Sequence, residues 1–116
     1  MVYKDIRTAL TAAGVAVYDP GQKIDVCTAP YAVVQESGVY PYPASSRLGY
    51  ALIEVHCYAP LNNYAALGGL VGRVRAALAP LAPALRPTGN EGVHGINEKF
   101  RAHETAVEYM IQKRLF

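Results

Sequence analysis

Tyr50-Ala51-Leu52-Ile53-Glu54-Val55-His56-Cys57-Tyr58-Ala59 is the stretch that decides the fold. Ala51, Ile53, Val55 and Cys57 take alternate positions, with Tyr50, Leu52, Glu54, His56 and Tyr58 between them. Successive side chains of an extended chain point to opposite faces. This period of two therefore predicts a strand, with the first set toward a core and the second toward a wetter surface. Pro60 ends it. Directly beyond, Tyr64, Leu67, Leu70, Val71, Val74 and Leu78 recur at three and four, the spacing of one helical face. Asn62 or Asn63 would cap that helix, and Pro80 and Pro83 stop it. Gly68, Gly69 and Gly72 weaken it by up to about 1 kcal/mol each relative to alanine. Their presence predicts a helix backbone lying close to a sheet or to a neighbouring subunit.

Upstream, Val2, Ile6, Leu10 and Ala13 share one face of a helix over 2–13, opposite Lys4, Asp5, Arg7 and Thr8. Gly14 is its expected stop, because glycine tolerates positive φ. Val15-Ala16-Val17-Tyr18 reads as a short strand closed by the turn signal Asp19-Pro20-Gly21. Tyr31-Ala32-Val33-Val34-Gln35, rich in β-branched and aromatic residues, reads as another. The stretch from Ser37 to Gly49 carries Pro41 and Pro43, which have no ladder donor, and so forms a long loop or the irregular tip of a long hairpin. Tyr40 and Tyr42, two apart, would point the same way in extended chain. Arg86 to Lys99, with Pro87, Gly89, Gly92 and Gly95 and few apolar residues, reads as a mobile loop. Arg101 to Phe116 suits a helix by composition. The alternation of Val107, Tyr109, Ile111 and Leu115 favours a long strand instead. The sum is an α+β fold of two layers: an antiparallel sheet with two helices packed on one face, and long hairpin and loop excursions.

The chain has 116 residues, the size of one domain, and is 52% hydrophobic against 17% charged, ample material for a core. A formal charge of +2 points to neither a nucleic-acid surface nor an acidic tail. No apolar run reaches the roughly 18 residues of a membrane helix, and Met1-Val2-Tyr3-Lys4-Asp5 lacks the layout of a signal peptide. The expectation is a soluble protein of a reducing compartment, with Cys27 and Cys57 as free, partly buried thiols.

The search for chemistry assigns no catalytic residue, no metal site and no cofactor. His56 and Cys57 are adjacent, so on a strand they point apart and cannot act as a pair. Ser45-Ser46 lies outside any GxSxG turn. His56, Cys57, His94, His103 and Glu104 show neither HExxH nor paired CxxC spacing, and His103 and Glu104 again point apart. Gly68-Gly69-Leu70-Val71-Gly72 lacks the Lys-Ser/Thr of a phosphate loop and sits inside a helix. Gly69-Leu70-Val71-Gly72, followed by Arg73 and Arg75, has the GxxG form of a KH domain, but helix packing through Gly68 and Gly72 explains these glycines better. Nine tyrosines against two phenylalanines and no tryptophan are more suggestive. Tyrosine is amphipathic and enriched at protein–protein surfaces. Tyr40, Tyr42, Arg47, Arg73 and Arg75 are the candidate interface residues.

The order itself resembles a known family. A helix ends in Ala12-Ala13-Gly14-Val15, and strands follow at Pro30-Tyr31-Ala32-Val33-Val34 and Leu52-Ile53-Glu54-Val55-His56-Cys57-Tyr58-Ala59. The second leads through Asn62-Asn63-Tyr64 into a helix with Leu67, Leu70, Val74 and Leu78, and the chain closes on Ala106-Val107-Glu108-Tyr109-Met110-Ile111. Over nearly its whole length this is similar to the tail terminator, or tail completion, proteins of long-tailed bacteriophages. The resemblance implies a structural virion protein, not an enzyme, assembled in the host cytoplasm. It would form a homo-oligomeric, hexameric ring on the head-proximal end of the tail tube. Its partners would be the tube protein and a neck or head-completion protein, with genomic DNA passing through the lumen unread and no membrane involved. Other readings are a different head–tail connector or stopper, a small ligand-binding protein or enzyme using Cys27 or Cys57, and an RNA-binding module. Thiol reactivity and salt-dependent retention on nucleic acid separate the last two.

Overall fold

The alternating stretch forms the central strand of the sheet. In the computed structural model, which describes residues 3–22, 27–41, 47–82, 84–92 and 94–114, the elements run α1 (Tyr3–Ala12), β1 (Val17–Tyr18), β2 (Tyr31–Pro41), β3 (Leu48–Pro60), α2 (Ala65–Leu78), a 3-10 turn (Ala79–Leu81), β4 (Leu85–Glu91), β5 (Gly95–Asn97) and β6 (Ala102–Arg114). The sheet order is β1-β2-β3-β6-β4, with β5 also paired to β6. β3 pairs antiparallel with β6 without interruption from Leu48↔Arg114 to Pro60↔Ala102. On its other side it pairs with β2 from Tyr31↔Tyr58 to Pro41↔Gly49.

The fold is α+β, and both helices pack on the same sheet face. Ala51, Ile53, Val55, Cys57 and Ala59 of β3 all point into the core, as the period of two requires. Ala32 and Val34 of β2 and Val107 and Tyr109 of β6 join them, and Ile6 and Leu10 of α1 and Leu67, Leu70, Val74 and Leu78 of α2 cover them. Ala13 falls outside the buried face of α1, and Val2 lies outside the described residues. Gly14, at φ 82°, stops α1. Its N–H donates to the Thr11 carbonyl and that of Val15 to the Leu10 carbonyl, both at 3.0 Å, the double closure of a Schellman motif.

A second, smaller core lies on the opposite face at one end of the sheet. Cys27, Tyr31 and Ala102 are buried there, with Tyr18, Val33, Tyr58 and Phe100 against them. The Tyr31 and Tyr58 rings stack at 4.9 Å. Tyr18 meets Tyr31 edge-on at 5.4 Å, and Phe100 meets Tyr58 edge-on at 6.0 Å. Cys27 and Cys57 are free thiols, both buried.

Several expectations need correction. The sheet is mixed, because β1 runs parallel to β2. Of the two readings of Ser37 to Gly49, the hairpin is realised. β2 continues to Pro41 and β3 starts at Leu48, while 42–46, with Tyr42 and Pro43, lie outside the described residues. A bulge at Ser37 lets β2 continue, shifting the register between Glu36 and Gly38. The mobile loop expected over 86–99 is instead β4 and β5, both edge segments on β6. Its glycines and Pro87 fit an edge. β4 pairs at Leu85–Pro87 and again at Glu91, with Gly89 at φ 90° in the irregularity between them. The terminal segment is strand through Arg114, and Leu115 and Phe116 lie outside the described residues. Neither Asn62 nor Asn63 caps α2. Tyr64 holds the N-cap position in helical geometry without a side-chain hydrogen bond, and the Asn63 carbonyl accepts the Ala66 N–H at 3.2 Å. The glycines of α2 do not let its backbone approach the sheet: a Cβ at Gly68, Gly69 or Gly72 would meet nothing within 4 Å.

Candidate functional site

Two surfaces stand out, one at each end of β3. The first is a groove of about 580 Å³ between the first turns of α2 and the chain from β4 to β5. Tyr64, Leu67, Gly68 and Val71 form its helical wall, and Gly92, His94 and Thr105 the other. Thr105 Oγ1 donates to the Gly92 carbonyl at 2.8 Å, and the Gly92 N–H donates to the Ala106 carbonyl at 2.7 Å, which ties this wall to β6. A Cβ at position 92 would lie 3.1 Å from the Ala106 nitrogen, a tight contact that a larger residue could make only if β6 gave way by a few tenths of an ångström.

Three aromatic side chains gather at the rim. The rings of His94 and His103 stack at 5.1 Å, and Tyr64 meets them edge-on at 4.8 and 5.0 Å. His103 Nε2 lies 3.2 Å from the Leu61 carbonyl, so the proton sits on that nitrogen and is donated there. Its Nδ1 is buried and has no hydrogen-bond partner among the described residues. Tyr64 and Ile96 are each 60% exposed and Leu61 is exposed beside them. Ile96 pairs across the ladder with His103. The sequence named His94 and His103 only as metal candidates. The structure brings these two together, but among the described residues no group of three or more His, Cys, Asp or Glu side chains is placed to hold a metal ion.

The second surface is the outer end of the β2–β3 hairpin. Val39, Tyr40 and Leu48 are exposed there, and the Tyr40 ring stacks on Tyr50 at 5.6 Å. Arg47 is exposed at the start of β3. β1 pairs only with Ala32 and Val33, so beyond that point the outer edge of β2 has no strand partner among the described residues.

The candidate interface residues are thus divided between elements. Tyr40 and Arg47 share the hairpin end, and Tyr42 lies outside the described residues. Arg73 and Arg75 are exposed on α2, where Arg75 lines a separate 340 Å³ cavity with Pro87, Asn90, Glu108 and Tyr109. Sequence reasoning missed Tyr64 as a rim residue, because its spacing placed it in the buried stripe of α2. Its position next to the helix start, ahead of the first buried leucine, is the signal that it lies outside that stripe.

His56 and Cys57 do point apart: Cys57 is buried under the helices, and His56 Nε2 lies 3.2 Å from Glu54 Oε2 on the other face. On that face Glu54 and Glu108 sit directly opposite one another. Ser37 Oγ donates to Glu54 at 2.7 Å, while Thr88 and Asn90 donate to Glu108 at 2.8 and 3.0 Å, which offsets the like-charge pairing. Burial pushes the Tyr31 phenol up to about 12, with Cys27 and Glu104 adding to the effect. Burial likewise raises Tyr58, further helped by Glu104, and raises Tyr109 against the pull of Arg75.

No protein-family model matches this chain, and neither does any curated protein.

Proposed function

We propose that the chain is a structural virion subunit of the tail-terminator kind. It assembles into a homo-oligomeric ring on the head-proximal end of a phage tail tube, ends tube growth there and offers the joint to a neck protein. DNA passes through the ring without sequence reading, and the reading assigns no catalysis and no cofactor. Its primary support is the order of elements, helix, short strand, hairpin, helix and closing strand, which resembles that family. The observation that carries it is the outer end of the hairpin. A chain that acts alone gains nothing from a β2 edge that has no strand partner among the described residues beyond Val33 and that carries Val39 and Tyr40 exposed to water, with Leu48 of β3 exposed beside them. A ring subunit covers both against its neighbour or the tube.

The test is purified protein added to growing tail tubes. Electron micrographs should show an added ring at one end of each tube, and tube subunits should stop adding there. Bare ends on tubes that lengthen at an unchanged rate overturn the reading.

A further inference from the structure

The fold brings His94 and His103 together, and the assembly reading uses neither. They come from different elements, the β4–β5 connection and β6. The chain around His94 is pinned on both sides. Before it, the Gly92 N–H donates to the Ala106 carbonyl and the Gly92 carbonyl accepts from Thr105 Oγ1. After it, Gly95 pairs with Glu104, and Ile96 with His103 itself. These ties leave the two imidazole ring centres 5.1 Å apart. The His103 ring is held by its own contact, Nε2 donating to the Leu61 carbonyl at 3.2 Å. In the neutral ring the free lone pair is then on Nδ1, which is buried and has no hydrogen-bond partner among the described residues. A buried nitrogen in that state costs free energy that a bound cation would offset.

We propose that His94 and His103 form a binding site for a divalent transition metal of the zinc, nickel and copper group. His103 supplies Nδ1. A ligating imidazole commonly donates its other N–H to a backbone carbonyl, which fixes the tautomer and the ring orientation, and the Leu61 carbonyl holds that place. His94 supplies the second nitrogen. It is exposed and outside regular structure, and no hydrogen bond holds its ring among the described residues, so the ring can turn a nitrogen toward the ion. The separation fits one shared ion. With metal–nitrogen bonds of about 2.0–2.1 Å, two imidazoles on one tetrahedral centre have ring centres roughly 5 Å apart. Among the described residues no third His, Cys, Asp or Glu side chain joins the pair. A donor set of imidazoles alone suits zinc, nickel and copper, and not magnesium or calcium, which need several oxygens. Water takes the remaining positions at the rim of the groove that His94 lines. A bound ion ties the β4–β5 connection to β6, whether or not the chain assembles.

Calorimetric titration of the full chain with Zn²⁺ and with Ni²⁺ tests the site. Each metal should bind at one equivalent, while Mg²⁺ and Ca²⁺ neither bind there nor compete. His94→Ala and His103→Ala should each weaken binding about tenfold or more, since losing even an outer-shell partner of a ligand costs that much. His56→Ala is the control, because His56 Nε2 lies 3.2 Å from Glu54 Oε2 on the other sheet face and forms the rival site. That variant should bind as wild type does. Circular dichroism checks that the variants are folded. Should His103→Ala fail to fold, His94→Ala decides, because it alters only an exposed side chain. A second readout locates the ion. The Tyr64 ring lies 4.8 and 5.0 Å from the two imidazoles, so paramagnetic Ni²⁺ should broaden its proton signals before those of His56. A wild-type chain that takes up neither metal, binding that His94→Ala leaves unchanged, or binding that His56→Ala abolishes overturns the site. None of these outcomes bears on the ring reading, which the tube ends decide.

Discussion

Tyr31–Val34 and Gln35–Pro41 belong to one strand, yet their surroundings differ. The first four residues lie between two layers, α1 and α2 over Ala32 and Val34 on one side and the Tyr31–Tyr58–Phe100 cluster on the other. The outer seven keep the ladder to β3 and lose most other cover, all of them exposed except the half-buried Gly38. The difference teaches that strand pairing and core formation are separable. Hydrogen bonds carry the hairpin outward, while apolar burial stabilises only its inner half. A two-stranded excursion of that kind is marginal alone in water, and β6 supports it along β3. Amides of Gln35–Tyr40 should therefore exchange by local opening, well before those of Tyr31–Val34.

The largest expected effect contrasts Ile53 with Val39. Ile53 is buried under the helices on the inner side of the bulge. Ile53→Ala should cost roughly 2–5 kcal/mol in denaturant unfolding, while Val39→Ala, at a 42% exposed site, should cost a few tenths. Ile111 is only half-buried at the edge of the core, so Ile111→Ala should fall between them. Equal losses at Ile53 and Val39 would erase the distinction between the two halves.

Alkaline pH probes the inner half from its other side. The folded chain holds the Tyr31 proton to about pH 12, against 10 for the ordinary phenol. Between those values the native state binds more protons than the unfolded one. The contribution of Tyr31 is thus complete below pH 10 and is lost as pH rises toward 12, at no more than about 1.4 kcal/mol per pH unit. Tyr31→Phe keeps the ring and removes the proton, so its stability should fall less steeply over that window. Melts at stepped pH with equal slopes for the two proteins would remove Tyr31 from the account.

The inner half was legible in the sequence and the outer half was not. Ala51, Ile53, Val55 and Cys57 alternate because a helix layer covers one side, and burial of one face is what writes a period into a strand. The same logic made Leu67, Leu70, Val74 and Leu78 readable. β4 and β5 were hidden because edge segments that pair on one side need few apolar residues, so Pro87, Gly89 and Gly92 look like a loop. The groove was hidden for a different reason. Tyr64, His94 and His103 come from α2's entry, the β4–β5 connection and β6, and no local spacing joins them. The candidate site was legible only as the tyrosine surplus and the two tip residues, Tyr40 and Arg47.

A small effect is also expected of Tyr40→Ser in the isolated subunit. Tyr40 is 43% exposed, and its ring stacks on Tyr50 within the same hairpin. Such a pair contributes on the order of 1 kcal/mol, and less when one side is wet. The loss in stability should therefore be about 1 kcal/mol or less, read in urea, with exchange at Tyr31–Val34 unchanged and exchange at Gln35–Tyr40 faster. The side chain of Gly38 is only a hydrogen, and the Tyr40 hydroxyl sits 2.9 Å from where a Cβ would be, so the tip is packed by that ring locally. Removing the ring loosens the tip without touching the core. A cost as large as that of Ile53→Ala would mean that the tip belongs to the folded core of the monomer, and the contrast between inner and outer strand would have to be redrawn.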